Sequence, residues 1–189
     1  MRKLLKLHRR FMASTRGVAA IEFAMIMPVM AILFLATFDG GRAIAVYMKM
    51  RAATFALASI TNQYLTIQST DMTQIVSATS AVLAPYATTS TNPAVTISQI
   101  AVSASGSATY SWSYSQGGTA HTQGNPATIP TALQTKGTYL ILAEVSYTFT
   151  PLFGYFTSLP ITFSDYLYVT PRASNCVNYP PQSVTTCTS

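Results

Sequence analysis

Charge is scarce in this 189-residue chain. Asp, Glu, Lys and Arg make up 8% of it, against about 25% in an ordinary soluble domain. That shortage disfavours a cytosolic enzyme. Disorder is excluded as well, because disordered chains are rich in charge and poor in aromatics, whereas this one is 49% hydrophobic and 11% aromatic. Histidine occurs twice and cysteine twice, with the wrong spacing for a zinc site. Only five acids are present, Glu22, Asp39, Asp71, Glu144 and Asp165, so a Ser-His-Asp set has few members to draw on. His121 lies in a glycine-rich stretch with no acid beside it in sequence and reads as a solvated loop histidine. No catalytic residue, metal ligand or cofactor is therefore expected, and the chain is not expected to be an enzyme. Its length suits one domain of ordinary size.

The bases are unevenly placed. Arg2, Lys3, Lys6, Arg9, Arg10 and Arg16 all precede Gly17. Beyond it, Arg42, Lys49, Arg51, Lys136 and Arg172 balance the five acids. The formal charge of +6 thus belongs to a short leader. Nucleic-acid binding needs bases spread over a folded face, so nucleic acid is not an expected partner. A basic tail directly ahead of an apolar run is instead what the positive-inside rule holds in the cytoplasm.

The apolar run is Val18 to Phe38, VAAIEFAMIMPVMAILFLATF. As a helix it is about 31 Å long, enough to cross a hydrocarbon core of about 30 Å. It is too long for a signal-peptide core, and no convincing cleavage site of the small-x-small kind follows it. The lipid bilayer is therefore an expected partner. The N-terminus is expected in the cytoplasm and everything beyond about Asp39 outside it. Pro28, in the middle of the span, removes one backbone hydrogen bond and is expected to bend the helix. Glu22 is the anomaly. A carboxylate within a bilayer costs a few kilocalories per mole, and a plain anchor has no use for it.

Gly17 ends the basic leader, and Glu22 is the fifth residue after it. This resembles the type IV prepilin processing motif, a short basic leader ending in Gly followed by a hydrophobic helix with Glu at its fifth position. RRFMASTRGVAAIEFAMIMPVM narrows the likeness. Arg16-Gly17, Ala20-Ile21-Glu22-Phe23-Ala24 and Pro28 resemble the TadE-like family, minor pilins or pseudopilins of Tad (Flp-type, type IVc) pili. Asp39-Gly40-Gly41-Arg42-Ala43 resembles the family's junction at the end of the span. Glu144 to Pro151 and Tyr168 to Arg172 resemble its closing strands more weakly. The resemblance implies cleavage between Gly17 and Val18 by a prepilin peptidase. It also implies a role for Glu22 in attracting the new amine of Val18 during assembly. The implied partners are other Tad pilins and pseudopilins and the Tad inner-membrane assembly platform, and the implied work is adherence and secretion. The implied location is the bacterial inner membrane with a periplasmic head.

The rest of the chain reads as an α+β head. Val46, Met50, Ala53, Leu57, Ile60 and Tyr64 make a helical stripe, so the first helix is expected to run from Val18 to near Tyr64. Asp71 with Gln74 reads as the capping box of a second helix. Met72, Ile75, Val76, Thr79, Val82 and Leu83 share one of its faces, and Pro85 marks its end. Val95 and Ile97, then Ile100 and Val102 one step out of phase, suggest a strand with a bulge. Tyr110, Trp112 and Tyr114 read as the buried row of another strand, with a partner- or sugar-stacking face as the lesser alternative. Tyr139 to Phe149 and Ile161 to Val169 complete an antiparallel sheet of about four strands. Cys176 and Cys187, both beyond the last strand, are expected to form one disulfide outside the cytoplasm.

The expected divisions are a leader at 1–17, a membrane helix with its extension at 18–65, and a head at 66–189. The alternative to a pilin-like subunit is an uncleaved, membrane-anchored periplasmic adaptor or binding module. An anchored enzyme ranks far behind both.

Overall fold

The computed structural model describes residues 17–86, 88–153, 159–182 and 187. The apolar run and the stripe beyond it form one helix, α1 (Val18–Thr61), continuous through Pro28. Its threonines need not break it, because their hydroxyls are satisfied one turn back: Thr37, Thr54 and Thr61 donate to the carbonyls of Leu33, Met50 and Leu57 at 2.8, 3.0 and 2.8 Å. The chain divides into two compact units. One comprises the residues up to Arg42 with Pro151–Leu159, and the other comprises Ala43–Thr150 with Pro160–Ser189.

Within the second unit, the later part of α1 buries Val46, Met50, Ala53, Thr54, Leu57, Ala58 and Thr61. The stripe read from sequence is thus the core face, with Ile60 and Tyr64 packed at its edge. A second helix, α2 (Ser69–Leu83), buries Met72, Ile75, Val76, Thr79 and Leu83. Asp71 is its third residue rather than its cap. The cap is Gln68, whose backbone N–H donates to the Asp71 carboxylate at 3.1 Å. There Asp71 also faces the positive end of the helix dipole.

Four strands follow: β1 (Ala94–Val102), β2 (Ala108–Gln116), β3 (Tyr139–Phe149) and β4 (Ile161–Val169). They form one antiparallel sheet in the order β2-β1-β3-β4. The α+β architecture expected from sequence is therefore present. Paired residues share a face. The inner face carries Val95, Ile97, Ile141, Ala143, Val145, Tyr147 and Phe149, buried in one cluster with the helix residues. The outer face carries Ile100, Val102, Leu140 and Leu142, buried with Ile129 in a second cluster.

The bulge exists, but on the neighbouring strand. β1 pairs without interruption to β3, so Ile100 and Val102 keep their alternation and turn to the outer face. The register shifts where Gln99 pairs Trp112 and Ile100 pairs Tyr110, leaving Ser111 of β2 as the extra residue. Ser111 therefore divides the aromatic row. Trp112 and Tyr114 belong to the inner cluster, and Tyr110 packs against the outer one.

Candidate functional site

The first part of α1 is apolar and uncovered. Every residue from Gly17 to Phe34 is exposed. By length and composition α1 is apolar enough to cross a membrane, and none of its most apolar window is buried inside the protein. Gly17 immediately precedes the helix, with open space where a side chain would stand. Val18 begins the helix, Glu22 follows one turn later, Pro28 lies mid-span, and Phe38 closes the apolar run. Among the described residues Glu22 has no hydrogen-bond or ion-pair partner. The leader bases from Arg2 to Arg16 lie outside the described residues.

Asp39, the first charge after the apolar run, grips a loop. Its two carboxylate oxygens accept the backbone N–H groups of Leu152 and Phe153, each at 3.1 Å. The ring of Phe153 meets that of Phe38 edge to face, with centroids 5.9 Å apart. These residues belong to one compact unit. Sequence reasoning placed Asp39 only as a junction residue.

A polar site on the outer sheet face was not read from sequence. His121 lies flat on Tyr110, with ring centroids 4.2 Å apart and planes 4° from parallel. Its Nε2 stands 2.7 Å from Glu144 of β3, and its backbone N–H donates to Ser113 Oγ at 3.0 Å. The reading of a solvated histidine without an acid is thus corrected, since the acid comes from a distant strand. A groove of about 410 Å³ lies here, lined by Tyr110, His121, Glu144, Tyr166 and Tyr168 among others. Burial, with Glu144 beside it, raises the Tyr110 pKa above its ordinary value. Burial raises that of Tyr168, assisted by Tyr110, Tyr166 and Glu144. Among the described residues there is no cluster of His, Cys, Asp and Glu suited to a metal ion.

Cys176 and Cys187 form a disulfide. The segment that leads into it is not a loose tail. Val177 is fully buried. Its N–H donates to Gln99 Oε1 at 2.6 Å, and its carbonyl accepts from Trp112 Nε1 at 2.8 Å. Asn178 exchanges backbone hydrogen bonds with Leu65 and Ile67, each at 2.9 Å, and Tyr179 packs against Trp112 and Tyr114. This strap closes the inner face beside β2.

Among the described residues, a long helix with an exposed apolar first half leads into an α+β head with one disulfide, an arrangement consistent with a membrane-anchored protein. Residues 17–59 match the family model described as TadE-like protein, which is consistent with a protein of the Tad pilus. The match holds the Gly17-Val18 junction, Glu22, Pro28, Phe38 and Asp39, while the weaker likenesses at 144–151 and 168–172 fall outside it. No curated protein matches the chain, and no solved structure does.

Proposed function

We propose that this chain is a TadE-like minor pilin or pseudopilin for assembly of a Tad (Flp-type) pilus used in adherence and secretion, and that its role is structural rather than enzymatic. The observation that carries this reading is the exposed, unpartnered Glu22, one helical turn from Val18 within the matched segment. A carboxylate left alone in lipid is costly. A partner that arrives at assembly turns the cost into specificity.

Cleavage between Gly17 and Val18 by a prepilin peptidase, on the cytoplasmic side, supplies that partner. It removes the six leader bases and frees the α-amino group of Val18. The amine, from the same chain or a neighbouring subunit, is attracted to Glu22. At an effective dielectric of about 20, two unit charges 4 Å apart attract by roughly 4 kcal/mol, several times the value in water. Gly17 suits the scissile position, since it offers least resistance to the extended shape a protease requires. The location is the bacterial inner membrane, single-pass, with the N-terminus cytoplasmic and the head periplasmic. The basic leader supports that orientation, and the disulfide supports an oxidising compartment for the head. Its partners there are other Tad pilins and pseudopilins and the inner-membrane assembly platform.

Two substitutions test the reading. Gly17→Val is expected to leave the leader attached, because a β-branched residue resists the protease geometry. Intact mass analysis of the membrane-bound protein reads this directly. An intact leader on the wild-type chain, in cells with an active peptidase, would favour the uncleaved adaptor instead. Glu22→Ala is expected to insert and to be processed, then to accumulate in the inner membrane while pilus output falls. Glu22→Gln is expected to behave like Glu22→Ala if charge is what counts. Normal pilus number and normal co-purification with other pilus subunits in both variants would end the assignment of an assembly role to Glu22.

A further inference from the structure

We infer that Leu152 and Phe153, at the start of the β3–β4 connection, make a second membrane contact, their side chains resting in the headgroup–acyl boundary at the outer end of the span. The inference rests on α1 crossing the bilayer. Phe38 is the last residue of the apolar run and Asp39 the first charge beyond it. Together they mark where the helix leaves hydrocarbon. Asp39 is also the residue that holds the connection, by two charge-assisted hydrogen bonds to the backbone N–H groups of Leu152 and Phe153. The ring of Phe153 then lies against Phe38 itself. Leu152 and Phe153 are thereby fixed at the level where the span ends.

What these two residues present there is apolar: Leu152 is 63% exposed and Phe153 43%, and Leu159, further along the connection, is 74% exposed. No charged side chain occurs between Thr150 and Pro160. In water, large hydrophobes so close in sequence leave apolar area unburied. At the bilayer boundary they recover part of that burial, as Phe and Leu side chains do on the apolar face of interfacial segments. Continuity with the span selects lipid as the occupant over a protein partner.

Asp39 thus acts as a clamp. Its carboxylate sits at the boundary, where water and headgroups still solvate it, and its oxygens are occupied by backbone donors that lipid would otherwise leave unpaired. The helix fixes depth, and the loop adds a second point of contact beside it.

Tryptophan fluorescence tests the inference, with the full chain reconstituted alone in phosphatidylcholine–phosphatidylglycerol vesicles whose acyl chains carry bromine at defined depths. The native Trp112 is fully buried in the head and supplies an unquenched baseline. Phe153→Trp is expected to add a blue-shifted band that shallow bromines quench more than deep ones. Phe34→Trp, within the span, is expected to be quenched most by deep bromines and reports insertion independently. Asp39→Ala is expected to weaken quenching of the Trp at 153 and to leave the Trp at 34 unchanged. A Trp at 153 with water-like emission and no quenching, beside a quenched Trp at 34, would overturn the loop contact and leave the membrane helix standing. Loss of quenching at both positions would overturn the membrane reading itself. A blue-shifted but unquenched band at 153 would mean that a second copy of the chain covers the loop, and would equally overturn it.

Discussion

Gly117 turns the chain out of β2 with a φ of +74°, and a Cβ there would come within 2.8 Å of the Thr91 backbone. Both faults bear on one substitution. Gly117→Ala is expected to destabilise the head by about 1–2 kcal/mol from the left-handed conformation alone, and by more if Thr91 cannot yield. A urea titration followed by Trp112 emission measures it. The tyrosines of the outer groove offer a second test at this scale. Their pKa values are raised above 10.0, so the folded state holds their protons more tightly than the unfolded chain. This contribution is fully present below pH 10, and it is lost as pH rises from there through the folded pKa. Tyr110→Phe and Tyr168→Phe are each expected to flatten the alkaline fall in denaturation midpoint. The groove itself was illegible in the sequence. Glu144 reads there as a lone acid in an apolar strand, and His121 stands 23 residues away with no local cue. The bulge was legible in kind but not in place. A phase change among Val95, Ile97, Ile100 and Val102 announces an irregularity, yet a strand buried on both faces shows the same pattern. Only the pairing partner reveals that Ser111 carries it.

Helix and strand boundaries were legible because period and punctuation agreed. Tyr139–Phe149 and Ile161–Val169 stand where alternation put them, and α2 ends two residues before Pro85. The strap from Cys176 to Tyr179 was not legible because it has no period. Its place in the core depends on backbone groups meeting Gln99, Trp112 and the turn after α1, and hydropathy does not record such pairings. The disulfide bears on the core through this strap. Closing a short loop contributes roughly 2–3 kcal/mol, and the loop it closes begins at buried Cys176, beside Val177. Cys176→Ser with Cys187→Ser is therefore expected to lower the stability of the whole head by that amount. Trp112, which loses its acceptor if the strap lifts, is expected to shift its emission to the red. A change confined to the strap's own proteolysis, with the unfolding midpoint unmoved, would show the strap to be peripheral.

Across the molecule, the neutral balance of five bases and five acids beyond Gly17 leaves the body without a strong field. Under the proposed function, association of the leaderless chain with its neighbours is then expected to depend little on salt. Co-purification with Tad pilus subunits at low and high ionic strength measures this, and steep salt dependence would indicate a charged interface. Chain order gives the strap one further consequence. It follows every strand, so a growing chain has both helices and the full sheet before it has the residues that cover Trp112. Until then Gln99 and the indole N–H lack their backbone partners, and the inner face stays open beside β2. The head can therefore close only once the chain has been made as far as Tyr179, so docking of the strap, and with it the bond between Cys176 and Cys187, follows the residues of all four strands.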